Sequence, residues 1–454
     1  MTNHDHTADD SYSNSITRRT ALGTGGALLS TGFAGCAGLT GGNGGGSSGS
    51  SGDIQIDYWM YFGAQENEEM TTLVDEFNSK DNGITVNKQS VPFDNFLNKL
   101  FTAVNSGNAP HIASYYGSYG QHLKPICHQI DDYLSKGAKN KYFQAAWENL
   151  QVDGQTYALP LDIHAKGVYT NDAVLEEAGV DPNFTDWQSF SNACNTILNE
   201  TDSKAFSMLN GRSGMSALRA YIIVLTQAGG NMVKGEPGNY DVAFTQGPGK
   251  EAANLMASVT GKRNWDKTEF RSDMGRVNDF VNGDLGMILE GTWGVNNFEN
   301  ENGEIPENLS FKFHKPFMFP GPGEDVAWGE SNSLYFPIND GHDDSEKKAA
   351  VEFAEYVTQN HTLWASAGGH LPAAKSVATS NEVKNTKLWK KYNTISKMYE
   401  MVKNKRIEYQ PKTSIHINSN QYWKPLYEMY MQNMGVDTAL NKAANSLQSA
   451  LDNK

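Results

Sequence analysis

The chain is poor in cysteine. Its 454 residues hold three, Cys36, Cys127 and Cys194. There is no CxxC pair and no HExxH run, so a structural zinc site and zincin chemistry have no support. No Gly-x-Ser-x-Gly nucleophile elbow occurs outside a Gly/Ser run near the N-terminus, and no Gly-rich phosphate loop is present. Basic residues are short: 37 Lys and Arg stand against 52 Asp and Glu, a net charge of −15. That argues against a polyanionic partner such as nucleic acid, which needs a basic face, and it suits a soluble protein in salty surroundings. Long apolar runs are missing as well. The stretch from Thr20 to Gly35 is too short and too rich in Gly and Thr to span a bilayer, which takes about 20 strongly apolar residues. No later segment comes closer, and no internal repeat is visible.

What is present near the N-terminus is an ordered series of three devices. Arg18 and Arg19 precede the short apolar run, in the form of an export signal. Adjacent arginines point to the twin-arginine route, although Ala21 and Gly23 stand where that motif has a large apolar residue and a lysine. Phe33-Ala34-Gly35-Cys36 then has the form of a lipobox, with Cys36 as the lipidated new N-terminus. One acyl chain anchors only marginally, so stable attachment implies more than one on Cys36. Ala37 to Gly52 is a Gly/Ser-rich tether with a reach of roughly 20–25 Å. The expected organisation is a signal peptide over 1–35, a lipidated cysteine and tether over 36–52, and a globular part on the outer face of the cell membrane. An outside location permits a disulfide between Cys127 and Cys194, and two unpaired buried thiols are the expected state. Four Asn-x-Ser/Thr sequons, at Asn183, Asn199, Asn308 and Asn360, are of the number that chance gives in an Asn-rich chain.

The part after the tether is longer than one core usually holds, so two lobes are expected. Ile54–Trp59 alternates like a strand, and Met70, Leu73, Val74 and Phe77 recur at helical spacing. A second strand at Ile84–Val86, a helix over Phe93–Asn105 and a third strand at His111–Tyr116 continue the alternation. Such alternation predicts βαβ units and a largely parallel sheet. Further helices are predicted at Asp172–Ala178, Trp187–Leu198, Arg219–Gln227, Lys250–Val259, Asp273–Asn282 and Ser345–Thr358. Three more close the chain at Trp389–Lys403, Gln421–Met434 and Val436–Leu451. A short apolar strand, Leu285–Leu289, leads into Glu290-Gly291-Thr292-Trp293-Gly294.

Four segments in order carry a family likeness. The first is Leu73-Val74-Asp75-Glu76-Phe77-Asn78 with Ser106-Gly107-Asn108-Ala109-Pro110-His111-Ile112, where the likeness would put Asp in place of His111. The second is Asp153-Gly154-Gln155-Thr156-Tyr157-Ala158-Leu159-Pro160 with Val168-Tyr169-Thr170-Asn171. The third is Phe280-Val281-Asn282-Gly283-Asp284-Leu285-Gly286-Met287 with Gly291-Thr292-Trp293. The fourth is Ala349-Ala350-Val351-Glu352-Phe353 with Gly368-Gly369-His370-Leu371-Pro372-Ala373. In these the chain resembles the extracellular solute-binding proteins of ABC importers, in the group that contains the maltodextrin and glycerol-3-phosphate binders. The resemblance implies an α/β, two-lobed periplasmic-binding-protein type II fold that clamps its ligand between the lobes. Crossings are expected near Asp162–Ala165, Gly329–Ser331 and Pro372–Ser376. Lobe 1 would comprise 53–163 plus 330–375, and lobe 2 164–329 plus 376–454. It further implies a monomer that hands a small-molecule sugar to ABC permease subunits in the membrane, with no cofactor, no metal and no catalysis.

Sugars offer apolar CH faces and many hydroxyls, so their clefts need aromatic platforms and polar side chains. Tyr61, Tyr115, Trp293, Trp328 and Trp423 are the aromatic candidates, three of which, Tyr115, Trp293 and Trp423, match stacking positions of maltodextrin binders. Glu66, Asp162, Ser213 and His370 are the polar ones. A phosphate-bearing ligand would need a cation; near Trp423 there are Lys412 and His416 but no arginine, which favours a neutral mono- or oligosaccharide. The rivals are an exported glycoside hydrolase, for which no carboxylate pair is singled out, and a ferric-ion binder using Tyr115 and Tyr116. If Cys36 carries the anchor, Cys36→Ala releases a binding-competent protein into the medium while uptake falls. Cell fractionation checks this, and a variant still wholly in the membrane fraction overturns it.

Overall fold

Ile56, Tyr58 and Met60 alternate with more exposed neighbours, and Ile54–Met60 is a strand in which those three are fully buried. This is a computed structural model that describes residues 53–236, 239–269, 274–300, 304–409, 411–413, 415, 417 and 420–453. Arg18, Arg19, Cys36, the tether and His416 lie outside these residues. No helix among the described residues is long and apolar enough to cross a membrane.

Two large sheets organise the chain. The first has the order Ile84–Ser90, Ile54–Met60, Ile112–Tyr116, Asn332–Tyr335, Ala158–Pro160. Its first three strands are parallel, joined through the helices Ala64–Asn78 and Phe93–Asn105. The second has the order Ile407–Tyr409, Ala327–Glu330, Asp162–Asn171, Leu285–Gly291, Lys204–Ser207. Phe311–His314 and Leu371–Pro372 add to the Asp162–Asn171 strand. The sheets are mixed rather than largely parallel. Asn332–Tyr335 runs antiparallel to both of its neighbours, and Asp162–Asn171 runs antiparallel to every strand paired with it. The reason is connectivity: these strands enter straight from the other sheet, with no crossover helix to restore a parallel direction.

The passage between sheets is abrupt. Leu161 alone separates Ala158–Pro160 from Asp162–Asn171, and Ser331 alone separates Ala327–Glu330 from Asn332–Tyr335. Leu161 N–H donates to Asn332 O at 2.9 Å, and its carbonyl accepts from Ala373 N at 3.1 Å. Three remote pieces of chain are thereby bound side by side.

The Asp162–Asn171 strand is buried at all ten positions. Its period of two sends Tyr169 into one hydrophobic cluster, with Phe298, Phe311 and Phe313, and Val168 into another, with Met287, Leu289 and Phe206. A third, smaller cluster gathers Phe96, Tyr115, Tyr119 and Tyr335 around the first sheet. Cys127 and Cys194 are free and buried, as expected.

Helix ends follow the cap chemistry. Asp186 accepts from Ser189 N at 2.7 Å, and Asp343 from Glu346 N at 2.9 Å in a reciprocal capping box. The predicted helix over Trp389–Lys403 is broken into Lys387–Lys390 and Thr394–Lys403. Asn393 sits between them at φ 61°, a left-handed conformation that Asn tolerates better than most residues. The helix predicted to reach Met434 ends at Tyr430, and Gln432 turns left-handed at φ 62°.

Gly167 lies mid-strand where a Cβ would stand 2.3 Å from the Phe313 ring and 2.5 Å from His314 O. Gly167→Ala therefore overpacks this face and should lower stability by about 1–3 kcal/mol. Urea unfolding measures it; an unchanged midpoint contradicts the packing described.

Candidate functional site

Period two places Asp162, His164 and Lys166 on one side of a strand that is wholly buried. Charged groups in such a position need partners or a ligand. Asp162 is fully buried and ringed by N–H donors. Its Oδ1 accepts from His164 Nδ1 at 3.0 Å and Asn332 N at 2.9 Å. Its Oδ2 accepts from Asn332 Nδ2 at 2.7 Å and Trp364 Nε1 at 2.8 Å, and lies 3.0 Å from His370 Nδ1. That last contact is an ion pair without an aligned hydrogen bond. On its other side, His370 Nε2 is 3.3 Å from Glu66 Oε1. Tyr61 OH donates to Asn332 Oδ1 at 2.5 Å. One network thus joins Tyr61 and Glu66, at the start of the Ala64–Asn78 helix, with all three pieces of chain that meet at Leu161.

The charge states follow. Burial pushes the Asp162 carboxyl up, but His370 and His164 outweigh it and hold it well below the usual carboxylate range. Burial pushes His370 down, yet Asp162 and Glu66 prevail and raise it to about 10, so it is a cation at neutral pH. Burial keeps His164 lowered and neutral. With its Nδ1–H given to Asp162, its Nε2 is left as an acceptor.

Asp162, His164 and His370 bring ligand atoms within 4.8 Å of one another, the spacing of a metal site. The donor set does not fit one. Asn332 N, Asn332 Nδ2 and Trp364 Nε1 already donate to the Asp162 oxygens, which leaves the carboxylate little lone-pair capacity for an ion.

Beyond this network lies an aromatic and charged wall. Trp293 follows the Leu285–Gly291 strand and is partly exposed; Gly291 makes room for it, since a Cβ there would meet its ring at 2.3 Å. His164 stands edge-on to Trp293 with ring centres 5.1 Å apart, and Trp328 stands edge-on at 6.2 Å. Arg219 comes from the nearly all-buried helix Gly214–Gln227. Its guanidinium carbon lies 5.3 Å from the Trp293 ring centre and 4.9 Å from that of Trp328. Lys166 Nζ is 3.9 Å from Glu290 Oε1 and makes no hydrogen bond; burial pulls it down to about 8 against the pull of Glu290. Lys166 Nζ, Arg219 Nε, Glu290 Oε2, Thr292 Oγ1, Trp328 Nε1, Glu330 Oε2 and Tyr409 OH are all buried without a hydrogen-bond partner. Native proteins leave few such groups, so a cluster of them marks a place made for something else.

Seven of the nine residues proposed from sequence therefore adjoin this region: Tyr61, Glu66, Asp162 and His370 in the network, Trp293 and Trp328 in the wall, and Tyr115 behind Tyr61 at 5.6 Å. Tyr115 is itself buried in the third cluster, stacked on Phe96, and burial raises its hydroxyl, which favours the phenol over the tyrosinate that ferric iron takes. The structure does not bring in the other two. Ser213 caps the helix that carries Arg219, its Oγ accepting from Met215 N at 3.1 Å. Trp423 is fully buried in the second cluster against Phe244, its Nε1 donating to Ile417 O. Lys412 is likewise spoken for, donating to Glu148 O and Gln151 O at 2.7 and 2.6 Å.

A profile of the bacterial extracellular solute-binding protein family matches residues 72–391, well over half of the chain. The chain belongs to this family. Solved structures similar to this solute-binding protein include a cyclic α-maltosyl-1,6-maltose binding protein from Arthrobacter globiformis, with a TM-score of 0.73 at 20% identity, covering 89% of this chain and 100% of that one. An ABC transporter solute-binding protein from Thermotoga lettingae bound with α-D-tagatose gives 0.67 at 19% identity, with 88% and 100% covered. An ABC substrate-binding protein from Listeria monocytogenes in complex with cycloalternan gives 0.69 at 15%, with 88% and 100% covered. These likenesses show the fold, a two-lobed periplasmic-binding-protein type II architecture. A binding protein of Brucella abortus (strain 2308) is 28% identical over 108 residues, 23% of this chain. The match spans 26% of that relative's length, about a quarter of the curated relatives.

The network makes a pH prediction. A group whose value is raised on folding contributes stability in full below its unfolded value and loses it as pH rises through the folded one. For His370 that window runs from about 6.5 to about 10. The stability advantage of the native protein over His370→Gln should be largest near pH 6 and shrink toward pH 9.5, by at most about 1.4 kcal/mol per pH unit. Urea unfolding at both values checks it, and a constant difference would sink the assignment of the cation.

Proposed function

We propose that this solute-binding protein captures a neutral mono- or oligosaccharide and delivers it to ABC permease subunits, held at the outer face of the membrane through Cys36. The observation that carries the reading is the set of unpartnered buried donors and acceptors around Trp293 and Trp328. Donors and acceptors in one place suit hydroxyls, which are both, and the ring that flanks them suits a CH face. Sugars in several structures of the same fold support it. Capture would proceed by closure of lobe 1, 53–163 plus 330–375, on lobe 2, 164–329 plus 376–454, with ligand contacts made in the closed state.

Charge favours a neutral sugar over a phosphorylated one. An arginine does stand at this site, Arg219, but the cations Arg219, Lys166 and His370 share the site with as many carboxylates, Asp162, Glu66 and Glu290. A phosphate would add charge to the side that is already matched.

Thermal shift against a library of neutral sugars tests the reading. At 100 times its dissociation constant a bound sugar adds about 2.7 kcal/mol. Trp293→Ala should abolish most of that shift while the unliganded melting temperature changes little. No shift from any carbohydrate, with a shift from a peptide or a metal ion, refutes the proposal.

A further inference from the structure

Glu330 closes the Ala327–Glu330 strand and is 1% exposed. Its two oxygens have unlike surroundings. Oε1 accepts from the backbone N–H of Ser118 at 3.1 Å and of Ser331 at 2.9 Å, so it ties a turn at the edge of one sheet to the passage into the other. Oε2 is equally buried and makes no aligned hydrogen bond; the Ser118 hydroxyl, likewise unaligned with any partner, lies beside the carboxyl. The groups facing the carboxyl are Arg219 from the Gly214–Gln227 helix, Tyr409 from the Ile407–Tyr409 strand, Tyr335 from the Asn332–Tyr335 strand and His164, its neighbour in the ladder. A dry carboxylate oxygen without a donor is costly. Burial accordingly pushes this carboxyl up to about 7, against the opposing pull of Ser118, Ser331 and Arg219.

We propose that Glu330 Oε2 is a ligand contact, accepting a hydrogen bond from a hydroxyl of the bound neutral sugar, and that binding drives the proton off this carboxyl. The inference rests on the sugar reading above. Oε1 already accepts two N–H groups, so the ionised form needs a donor at Oε2; the Ser118 hydroxyl beside the carboxyl is not aligned to serve, and a sugar hydroxyl supplies it. The hydroxyl proton stays on the sugar, and the carboxyl proton leaves to solvent. Arg219 remains beside the carboxylate as its countercharge. Affinity then rises with pH, at most about tenfold per unit below the carboxyl's own value, and levels off above it.

Isothermal titration with a panel of neutral sugars headed by maltose, mannobiose and tagatose decides the matter, run near pH 6 and pH 8 in phosphate and in Tris. The expected result is a sugar whose Kd falls about three- to tenfold from the lower pH to the higher, with heats that differ between buffers because a proton is released. Glu330→Gln should bind about tenfold more weakly and lose both the pH dependence and the buffer effect. If that variant fails to fold, infrared difference spectra of the native protein give the same answer: a protonated carboxyl band near neutral pH vanishes when the sugar is added. A sugar that binds with equal Kd at both pH values and equal heats in both buffers overturns the role of Glu330 and leaves the sugar reading intact. A panel without a binder overturns the sugar reading and this inference with it.

Discussion

A single buried carboxylate holds the meeting point of the chain together. Removing an ion like Asp162 from water costs several kcal/mol, and the cost is offset only when its lone pairs are filled. Here they are filled by a ring nitrogen two residues along the same strand, by the backbone and side chain of Asn332 and by the indole of Trp364, with the cation of His370 paired beside them. These partners come from segments up to 208 positions away in sequence, so the charge can be satisfied only when each passage between the sheets is in place. The ladder bonds at Leu161 fix the same segments through the backbone. Geometry and charge therefore specify one arrangement twice.

The wall of the site depends on that arrangement. His164 is oriented by Asp162 and in turn stands edge-on to Trp293. Trp293 shares Arg219 with Trp328, and Glu330 shares a ladder rung with His164. Asp162 has its oxygens filled by the network, whereas Lys166, Glu290 and Glu330 each keep a buried polar atom without a partner. The division explains why Asp162 and Glu330, both buried carboxyls on neighbouring strands, differ so far: one is held far below the ordinary range and the other is raised to about 7.

Much of the fold is readable from local pattern. The helix over Phe93–Asn105 has the bounds its spacing predicts, and Ile54–Met60 differs by one residue. Short strands such as Ala327–Glu330 and Asn332–Tyr335 escape, because four residues joined by Ser331 offer neither a period nor a turn signal. At the site, Trp293 and His370 are visible from likeness to a family. His164, Lys166, Arg219, Glu290 and Glu330 are not among the residues first singled out, yet a signal exists. Asp162-Ile163-His164-Ala165-Lys166 alternates ionisable with apolar residues, and Arg219 is the single charge in Gly214–Gln227. A charge inside an otherwise apolar element has to be met by a partner or a ligand. Trp423 shows the limit of likeness: the same aromatic type in a matching order is here taken up by packing against Phe244.

The one-residue passages at Leu161 and Ser331 also set a mechanical limit. Each non-proline residue offers two soft torsions, and both residues are already engaged: Leu161 N–H is donated to Asn332 O, and Ser331 O accepts from Gly117 N at 2.8 Å. Any swing of one sheet against the other has to be spread as twist along the strands on either side. The joint behaves as a leaf spring with a preferred angle, unlike a slack string.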